Sequence, residues 1–470
     1  MKKLLLGSTA LVAGGLMAAP AMAADPIKLG VGGYYQFFAL AGGIEGVYAP
    51  DGTSLQYKGL QFIQEGEIHF IGQSKLDNGT TVGLTVELEG WNTASSQAAG
   101  TAGTVPAGTA GSVRQIDEAF LFAFGDWGRL EFGSRDQASY RMYYGAPSAL
   151  LGWGFFQHNS AFNWASAAML ANPAQGAATY FTIGGQFQDV NRVNYFTPRF
   201  MGLQVGAGYT PKINVAPTAI LARGLGGPGP TTAAAGVCGF NDATTASNCP
   251  TNDNSWQDMF DVGANYLNKF GDVTVALFGA WMYASFVPSL NNNANNASIV
   301  TGANYSAWKQ WVIGVQFGYA GFTVGGSYGW DNNGLGGNYY TGGDSDSRKW
   351  AASIMYETGP WQMSFGWGHV NTDNGNGAAT LASVGQGTTS GLTTVPVAAT
   401  SVGNFGTNPL AGAAVFGSGY TADKFELGIN YALGPGIKLV GGGIVWNVGG
   451  PVNGTQGQSW TAMLGMDLRF

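Results

Sequence analysis

Charged residues, histidines and cysteines are all scarce in this chain of 470 residues. Charged side chains make up 10% of it, against ~25% in an average soluble domain. Acidic residues outnumber basic ones by 27 to 20, which argues against nucleic acid as a partner. The three histidines, His69, His158 and His369, lie in no Gly-x-Ser-x-Gly or His-Glu-x-x-His motif. Because an enzyme of those kinds needs an oriented base or a bound metal, the sequence argues against an enzyme and predicts no cofactor.

Long apolar runs are also absent after residue 23, which excludes a transmembrane helix there. Residues 1–23 begin with two lysines, continue with a short apolar stretch broken by glycine, and end in Ala-Met-Ala. This pattern predicts a signal peptide cleaved after Ala23 rather than a membrane anchor, and leaves residues 24–470 as one exported domain. Loss of the two lysines would take the net charge from −7 to −9.

The two cysteines, Cys238 and Cys249, lie close together in the sequence. In an exported protein this spacing predicts a disulfide across a small loop, with free or metal-binding thiols as the alternatives. Aspartates at 331, 344 and 346 suit a hard cation such as calcium, but solvated loop acids explain them better because no EF-hand spacing is present. No metal site is predicted.

What the sequence does contain is glycine, 77 residues, and aromatic side chains, 13%. Stretches in which apolar and polar residues alternate recur along residues 24–470, as expected for β-strands with one apolar face. In residues 80–90, for example, valine and leucine alternate with threonine, glycine and glutamate. We count sixteen such stretches: 28–40, 59–73, 80–90, 114–124, 129–136, 191–198, 202–211, 257–270, 272–286, 308–320, 322–330, 348–358, 361–371, 420–433, 437–448 and 458–470.

Short and long connections alternate between these stretches. The short ones are rich in Gly, Asn, Asp and Pro, as tight turns require. The eight long ones lie near residues 41–57, 91–113, 137–190, 212–256, 287–307, 331–347, 372–419 and 449–457. Antiparallel strands joined in this way place all short turns at one end and all long loops at the other.

Aromatic residues decide between a soluble β-sandwich and a transmembrane barrel. Ten of them lie at strand ends beside the short turns, where a membrane-interface girdle belongs: Tyr195, Phe196, Tyr266, Phe270, Tyr319, Phe322, Tyr356, Trp361, Tyr431 and Phe470. Closure of the sheet also removes the edges that lipid cannot satisfy. The sequence therefore predicts an all-β, sixteen-stranded antiparallel transmembrane barrel with apolar faces outward and polar faces around a lumen.

Two motifs carry a family resemblance. FGDWGRLEFGSRD (124–136) and NRVNYFTPRFMGLQVGAGY (191–209) are similar to strand-turn-strand units of the Gram-negative general diffusion porins, as are the order of strands and the final phenylalanine. The resemblance implies an outer-membrane homotrimer with short periplasmic turns, long extracellular loops and a third loop folded into the lumen. It also implies passive diffusion of ions and small hydrophilic solutes. The usual acidic constriction motif is absent from the third loop, which instead reads YRMYYGAPSALLGWGFFQHNSAFNW (140–164).

Selectivity in a water-filled pore depends on inward-facing charges near its narrow point. Alternation and the resemblance together select the candidate pore residues Glu65, Glu67, His69, Glu87, Glu89, Asp117, Glu131, Arg135, Arg141, Trp153, Phe155, His158, Arg192 and Asn194. Asp117 and Asn194 stand where the family often carries arginine, so the balance predicts weak cation preference. Any single acid can equally be solvated wall.

Three further interpretations remain open. The aromatic residues of the third loop, including Trp153 and Phe155, could form a sugar slide in a substrate-selective channel, or simply pack the loop against the wall. The long loops would also suit an adhesin or structural barrel. Alternation places Glu118 toward lipid, where a carboxylate is costly, and this predicts a polar partner for it at a subunit interface.

Overall fold

The computed structural model describes residues 26–48, 54–89, 116–150, 189–212, 255–287, 307–332, 346–372, 420–449 and 457–470. Sixteen antiparallel strands within these ranges form one closed barrel in which each strand pairs with its sequence neighbours. The strands are β1 Lys28–Tyr48, β2 Ser54–Lys75, β3 Thr81–Glu89, β4 Ile116–Gly125, β5 Gly128–Arg135, β6 Val190–Phe196, β7 Leu203–Lys212, β8 Ser255–Phe270, β9 Val273–Val287, β10 Trp308–Tyr319, β11 Phe322–Asp331, β12 Ser347–Thr358, β13 Trp361–Thr372, β14 Tyr420–Gly434, β15 Ile437–Gly449 and β16 Gly457–Arg469. The predicted sixteen-stranded barrel is confirmed.

One short helix, α1 (Ala138–Arg141), follows β5. No helix in the described ranges has the length and apolarity needed to cross a bilayer. The strand bounds agree with the alternating stretches to within three residues, except in the first hairpin. There β1 continues to Tyr48 and β2 starts at Ser54, so most of the first predicted loop, 41–57, is strand.

Closure depends on the chain terminus. β16 pairs with β1 over twelve residue pairs from Tyr34↔Arg469 to Glu45↔Gln458. Phe470 extends the ladder, since its carbonyl accepts from the Gly33 amide at 3.0 Å and its amide donates to the Gly33 carbonyl at 3.1 Å. The alternating C-terminal stretch is therefore the strand that removes the last two sheet edges.

On this sheet the apolar face is exposed and the polar face is buried, which is the opposite of a soluble protein, and β14 illustrates this. Phe425, Leu427 and Ile429 are 37, 56 and 40% exposed, whereas Lys424 and Glu426 are each 1% exposed. An isolated water-soluble barrel would expose the charges and bury the apolar side chains. Apolar side chains thus cover the outside of the barrel, as a lipid environment requires.

Aromatic side chains form the predicted girdle at the short-turn end. Phe322 stacks on Tyr356 with 4.3 Å between ring centroids, and Trp127 stacks on Tyr195 at 6.4 Å. Phe470 is 69% exposed there. Phe196 is the exception: it is 7% exposed and faces inward under the guanidinium of Arg141.

Candidate functional site

The chain that follows β5 enters the barrel and runs along its inner wall to Leu150. We call residues 137–150 the lumen segment; it contains α1 and is the first of the two parts of the third loop that the structure describes. Side chains of β8 to β14 hold its backbone at six points. These hydrogen bonds run from the Ser139 amide to Asp261 (2.7 Å), Asn265 to the Met142 carbonyl (3.0 Å), Gln316 to the Gly145 carbonyl (2.9 Å), Ser353 to the Pro147 carbonyl (2.5 Å), the Ala149 amide to Ser364 (2.8 Å) and Asn430 to the Ala149 carbonyl (2.6 Å).

Glycines lie where the lumen segment touches the wall. A Cβ built on Gly325 would come within 2.5 Å of the Gly145 carbonyl oxygen, and one on Gly428 within 2.6 Å of the Leu150 nitrogen. A Cβ on Gly314 would collide with the Tyr144 carbonyl oxygen. A side chain at any of these positions would therefore displace the segment toward the pore axis.

The far end of the lumen segment also packs on apolar side chains. Ala146 and Leu150 belong to a buried cluster with Phe38, Leu40, Ala351, Val370, Ala422, Val440, Ile444, Trp446 and Met463. Nearby, the Tyr143 hydroxyl donates to Ser327 at 2.9 Å, and burial raises the pKa of Tyr143 to about 12. Apolar side chains thus cover part of the inner face under the segment, where alternation predicts polar residues.

β4 directs its phenylalanines inward and carries a β-bulge, and this corrects the assignments of Asp117 and Glu118. Phe120 and Phe122 are each 6% exposed, whereas Leu121 between them is 58% exposed. Glu118 lies on the same face as the two phenylalanines and is 3% exposed; its Oε1 accepts from the Asp136 amide at 2.9 Å and it is paired with Arg135. The bulge follows toward the start of the strand, where the register passes from Val86↔Ala119 to Leu88↔Ile116. The prediction that Glu118 faces lipid at a subunit interface is wrong, and Asp117, in the bulge, is not the carboxylate that reaches the loop.

Asp136 occupies the junction between β5 and α1. Its carbonyl accepts a hydrogen bond from Asn194 at 2.8 Å, which ties the start of the third loop to β6. Its carboxyl oxygen Oδ1 is buried with no hydrogen-bond partner among the described residues. Burial raises the pKa of the Asp136 carboxyl above its ordinary value, although the neighbouring Arg135 acts in the opposite direction.

Glu131, Arg192 and Asn194 lie on the inner side of β5 and β6, but are only 1, 3 and 0% exposed. Glu131 is paired with Arg141 of α1 and, at 2.6 Å, with Arg129. The Nη1 of Arg192 lies 3.9 Å from Asp261 of β8. These predicted pore residues therefore anchor the base of the lumen segment, and water reaches little of them.

A different arrangement covers the inner faces of β2 and β3. Four carboxylates lie there, and we call Glu65, Glu67, Glu87 and Glu89 the acidic wall. The register places Glu67 directly opposite Glu89, and His69 directly opposite Glu87. Like charges in directly opposed positions repel, so this register concentrates negative potential on one face of the lumen.

The contacts of the acidic wall are specific. The Tyr34 hydroxyl lies 2.9 Å from Oε1 of Glu67 and 3.3 Å from Oε1 of Glu65, and its single proton serves one of them at a time. His69 Nε2 is 2.8 Å from Oε2 of Glu67. Arg135 Nη1 is 3.4 Å from Oε1 of Glu87, but its charge is shared with Glu118.

Charges on β11 to β14 are paired instead. Lys349 lies 3.5 Å from Asp331, which also accepts from Trp308 and Gln310 at 2.6 Å. Asp331 is therefore a wall residue, 1% exposed, and not a solvated loop acid. Lys424 lies 3.0 Å from Glu426.

Several predicted residues fall outside the described part of the chain: Trp153, Phe155 and His158 of the third loop, and Cys238 and Cys249. Conversely, sequence reasoning missed the residues that seat the lumen segment, among them Ser364, Asn430 and Gly428. The sequence signal that could have indicated them is the recurrence of short polar side chains and glycine at inward positions of adjacent strands.

Comparison with known proteins gives one family and several structural likenesses. A family model described as Gram-negative porin matches residues 7–444. No curated relative matches the chain. One similar solved structure is a loop-deletion mutant of OmpT, an outer membrane protein of Vibrio cholerae, at 10% identity and TM-score 0.48, over 94% of this chain and 99% of that one. Another is an anion-selective porin from Comamonas acidovorans, at 14% identity and TM-score 0.46, over 94% of this chain and 100% of that one. A triple-mutant porin of Rhodopseudomonas blastica is similar at 12% identity and TM-score 0.41, over 94% and 100% of the chains.

Proposed function

The chain belongs to the Gram-negative porins and is an outer-membrane diffusion channel; from this premise we propose that it passes ions and small hydrophilic solutes with a weak preference for cations. The observation that carries the preference is the acidic wall, where Glu67 and Glu89 oppose each other across β2 and β3. Elsewhere in the described lumen, carboxylates such as Asp331 and Glu426 lie beside lysines. Carboxylates are thus concentrated on one side of the pore, where their negative charge raises the local cation concentration.

Reversal potentials in a salt gradient test this preference. Glu67→Gln combined with Glu89→Gln should move the reversal potential toward the anion side, because two negative charges leave the wall. The matched control is Asp77→Asn, a single charge removal in the exposed turn of the same hairpin. An unaltered reversal potential in the double variant, or an equal shift in the control, would contradict the assignment. Saturation of conductance by a sugar would instead favour a substrate-selective channel.

The chain forms a homotrimer through the outer faces of β16, β1 and β2. This surface carries small and large apolar side chains side by side: Ala462, Ala41 and Leu60 form one cross-strand row, and Leu464, Ala39 and Phe62 the next. Leu60, Phe62 and Leu464 are 67, 63 and 67% exposed in the single chain. Close approach of a neighbour at the alanines would cover these large side chains.

Ala462→Trp should therefore dissociate the oligomer in mild detergent, as measured by light scattering. Ala352→Trp, the same change at an exposed outward alanine of β12, should leave it intact. Equal behaviour of the two variants would remove β16 from the interface.

Residues 1–23 act as a cleaved signal peptide, so sequencing of the mature protein should begin at Ala24.

A further inference from the structure

Three potential metal ligands converge on the inner faces of β2 and β3. Glu67, His69 and Glu87 each offer one ligand atom, and these atoms all lie within 4.8 Å of one another. Glu67 and His69 are two residues apart on one strand, so their side chains share a face. Glu87 is directly opposite His69 on the neighbouring strand, where Cβ atoms are about 4.5–5.5 Å apart. Rigid ladder positions, not loop positions, thus bring the three groups together.

The donor set has the chemistry of a transition-metal site. Imidazole nitrogen and carboxylate oxygen together suit zinc and its neighbours, whereas calcium and magnesium prefer oxygen alone. The side chains of Glu67, His69 and Glu87 are 16, 27 and 13% exposed, so an ion in the lumen can reach them. Three protein ligands would leave a fourth position to water.

Two independent features support a cation at this place. Tyr34 donates to Oε1 of Glu67, which leaves Oε2 directed at His69 Nε2; such a hydrogen bond orients a ligating carboxylate. Glu89 lies directly opposite Glu67 and adds another carboxylate to the face that carries the three ligands. Arg135 contacts Glu87 but is also paired with Glu118.

We propose that Glu67, His69 and Glu87 form a binding site for a divalent transition metal, with Zn²⁺ as the reference ion, in the channel lumen. In binding, the metal lies between His69 Nε2 and Glu67 Oε2, which are now in direct contact at 2.8 Å, and the neutral imidazole carries its single proton on Nδ1. The bound ion cancels charge on the acidic wall, so the metal would modulate the proposed cation preference. Metal binding itself does not depend on that preference.

Isothermal titration of the full-length protein in detergent with zinc chloride tests the site. The wild type should bind one Zn²⁺ per chain, and Tyr34→Phe should weaken binding about 10–100-fold through loss of the orienting hydrogen bond. His69→Gln keeps an N–H group for Glu67 but is a poor zinc ligand, so it should abolish the saturable phase. His369→Ala is the matched control: His369 lies 2.7 Å from Asp423 on the outer face, away from the three ligands.

Heat-modifiable migration on gels shows whether each variant has folded. A variant that has not folded is replaced by Glu87→Gln, which should also lose the saturable phase of zinc binding. A calcium titration distinguishes a histidine-dependent site from a carboxylate cluster. Calcium should bind at least tenfold more weakly than zinc and should be indifferent to His69→Gln. Absence of saturable zinc binding, zinc affinity unchanged in His69→Gln, or calcium binding as tight as zinc would each overturn the proposal.

Discussion

Gly428 of β14 offers a clean test of how the wall positions the lumen segment. Its backbone does not have a positive φ, so alanine introduces no conformational strain. The added Cβ would lie 2.6 Å from the Leu150 nitrogen, 2.8 Å from the Ala149 carbonyl carbon and 3.0 Å from Ser364 Oγ. Ordinary contacts start near 3.4 Å, so the segment must move by about 0.8 Å, away from β14 and toward the pore axis.

The energetic cost combines overpacking with a weakened anchor. Overpacking of a closely packed site by one carbon typically costs about 1–3 kcal/mol. Ser364 Oγ accepts from the Ala149 amide at 2.8 Å, and displacement of this amide puts a hydrogen bond worth about 1 kcal/mol at risk. We therefore expect Gly428→Ala to lower the free energy of unfolding by about 1–3 kcal/mol.

Urea unfolding in lipid vesicles and single-channel conductance in planar bilayers measure the two effects. Gly428→Ala should be less stable and should conduct less, because the displaced segment narrows the lumen. Gly279→Ala on β9 is the control, since its Cβ would meet nothing within 4 Å. Identical stability and conductance in the two variants would refute the idea that glycines set the distance between segment and wall. Higher conductance in Gly428→Ala would refute the predicted direction of movement.

Two further predictions concern the base of the loop. Glu118→Gln should destabilise the protein by about 3–5 kcal/mol because it removes one partner of a buried ion pair, while Asp117→Asn should cost far less. Urea titration compares the two variants, and equal losses would argue against a buried ion pair between Glu118 and Arg135. The raised pKa of Asp136 means that its contribution to stability is greatest below the unfolded value of ~3.9 and is lost as pH rises through the folded value. Between pH 4 and 7 the wild type should therefore lose thermal stability relative to Asp136→Asn, and parallel melting curves across that range would be the contrary result.

Strand positions could be predicted from sequence because alternation and turn residues are local signals. The apolar and polar residues of β3 alternate without interruption, and its bounds, 81–89, differ from the predicted 80–90 by one residue at each end. The first hairpin is longer than predicted because β1 and β2 continue beyond the alternating stretches, to Tyr48 and from Ser54. The inward direction of Glu118 was not predicted because this residue alternates in phase with Phe120 and Phe122, and apolar residues are expected on the outer face; in the structure both phenylalanines face inward and are 6% exposed.

The seat of the lumen segment could not be predicted, because each of its contacts joins residues far apart in the chain. Asn430 reaches Ala149 across 281 positions, and Ser353 reaches Pro147 across 206. Inward alternation predicts only that such side chains face the lumen. Whether a polar inward residue holds backbone or lines water depends on the path of the loop, which sequence periodicity does not encode.

The two sides of the pore consequently differ in structural role: one holds the lumen segment and the other carries carboxylates that face the lumen. From β8 to β14 the inner wall presents polar side chains and glycines where the lumen segment lies against it, because the backbone of that segment needs hydrogen-bond partners and room. The charges on that side are paired and buried. On β2 and β3 the carboxylates are partly open to the lumen and oppose one another. We therefore expect the side that holds the loop to set the width of the channel and the acidic wall to set its proposed charge preference. Substitutions on one side should then leave the property governed by the other largely unchanged.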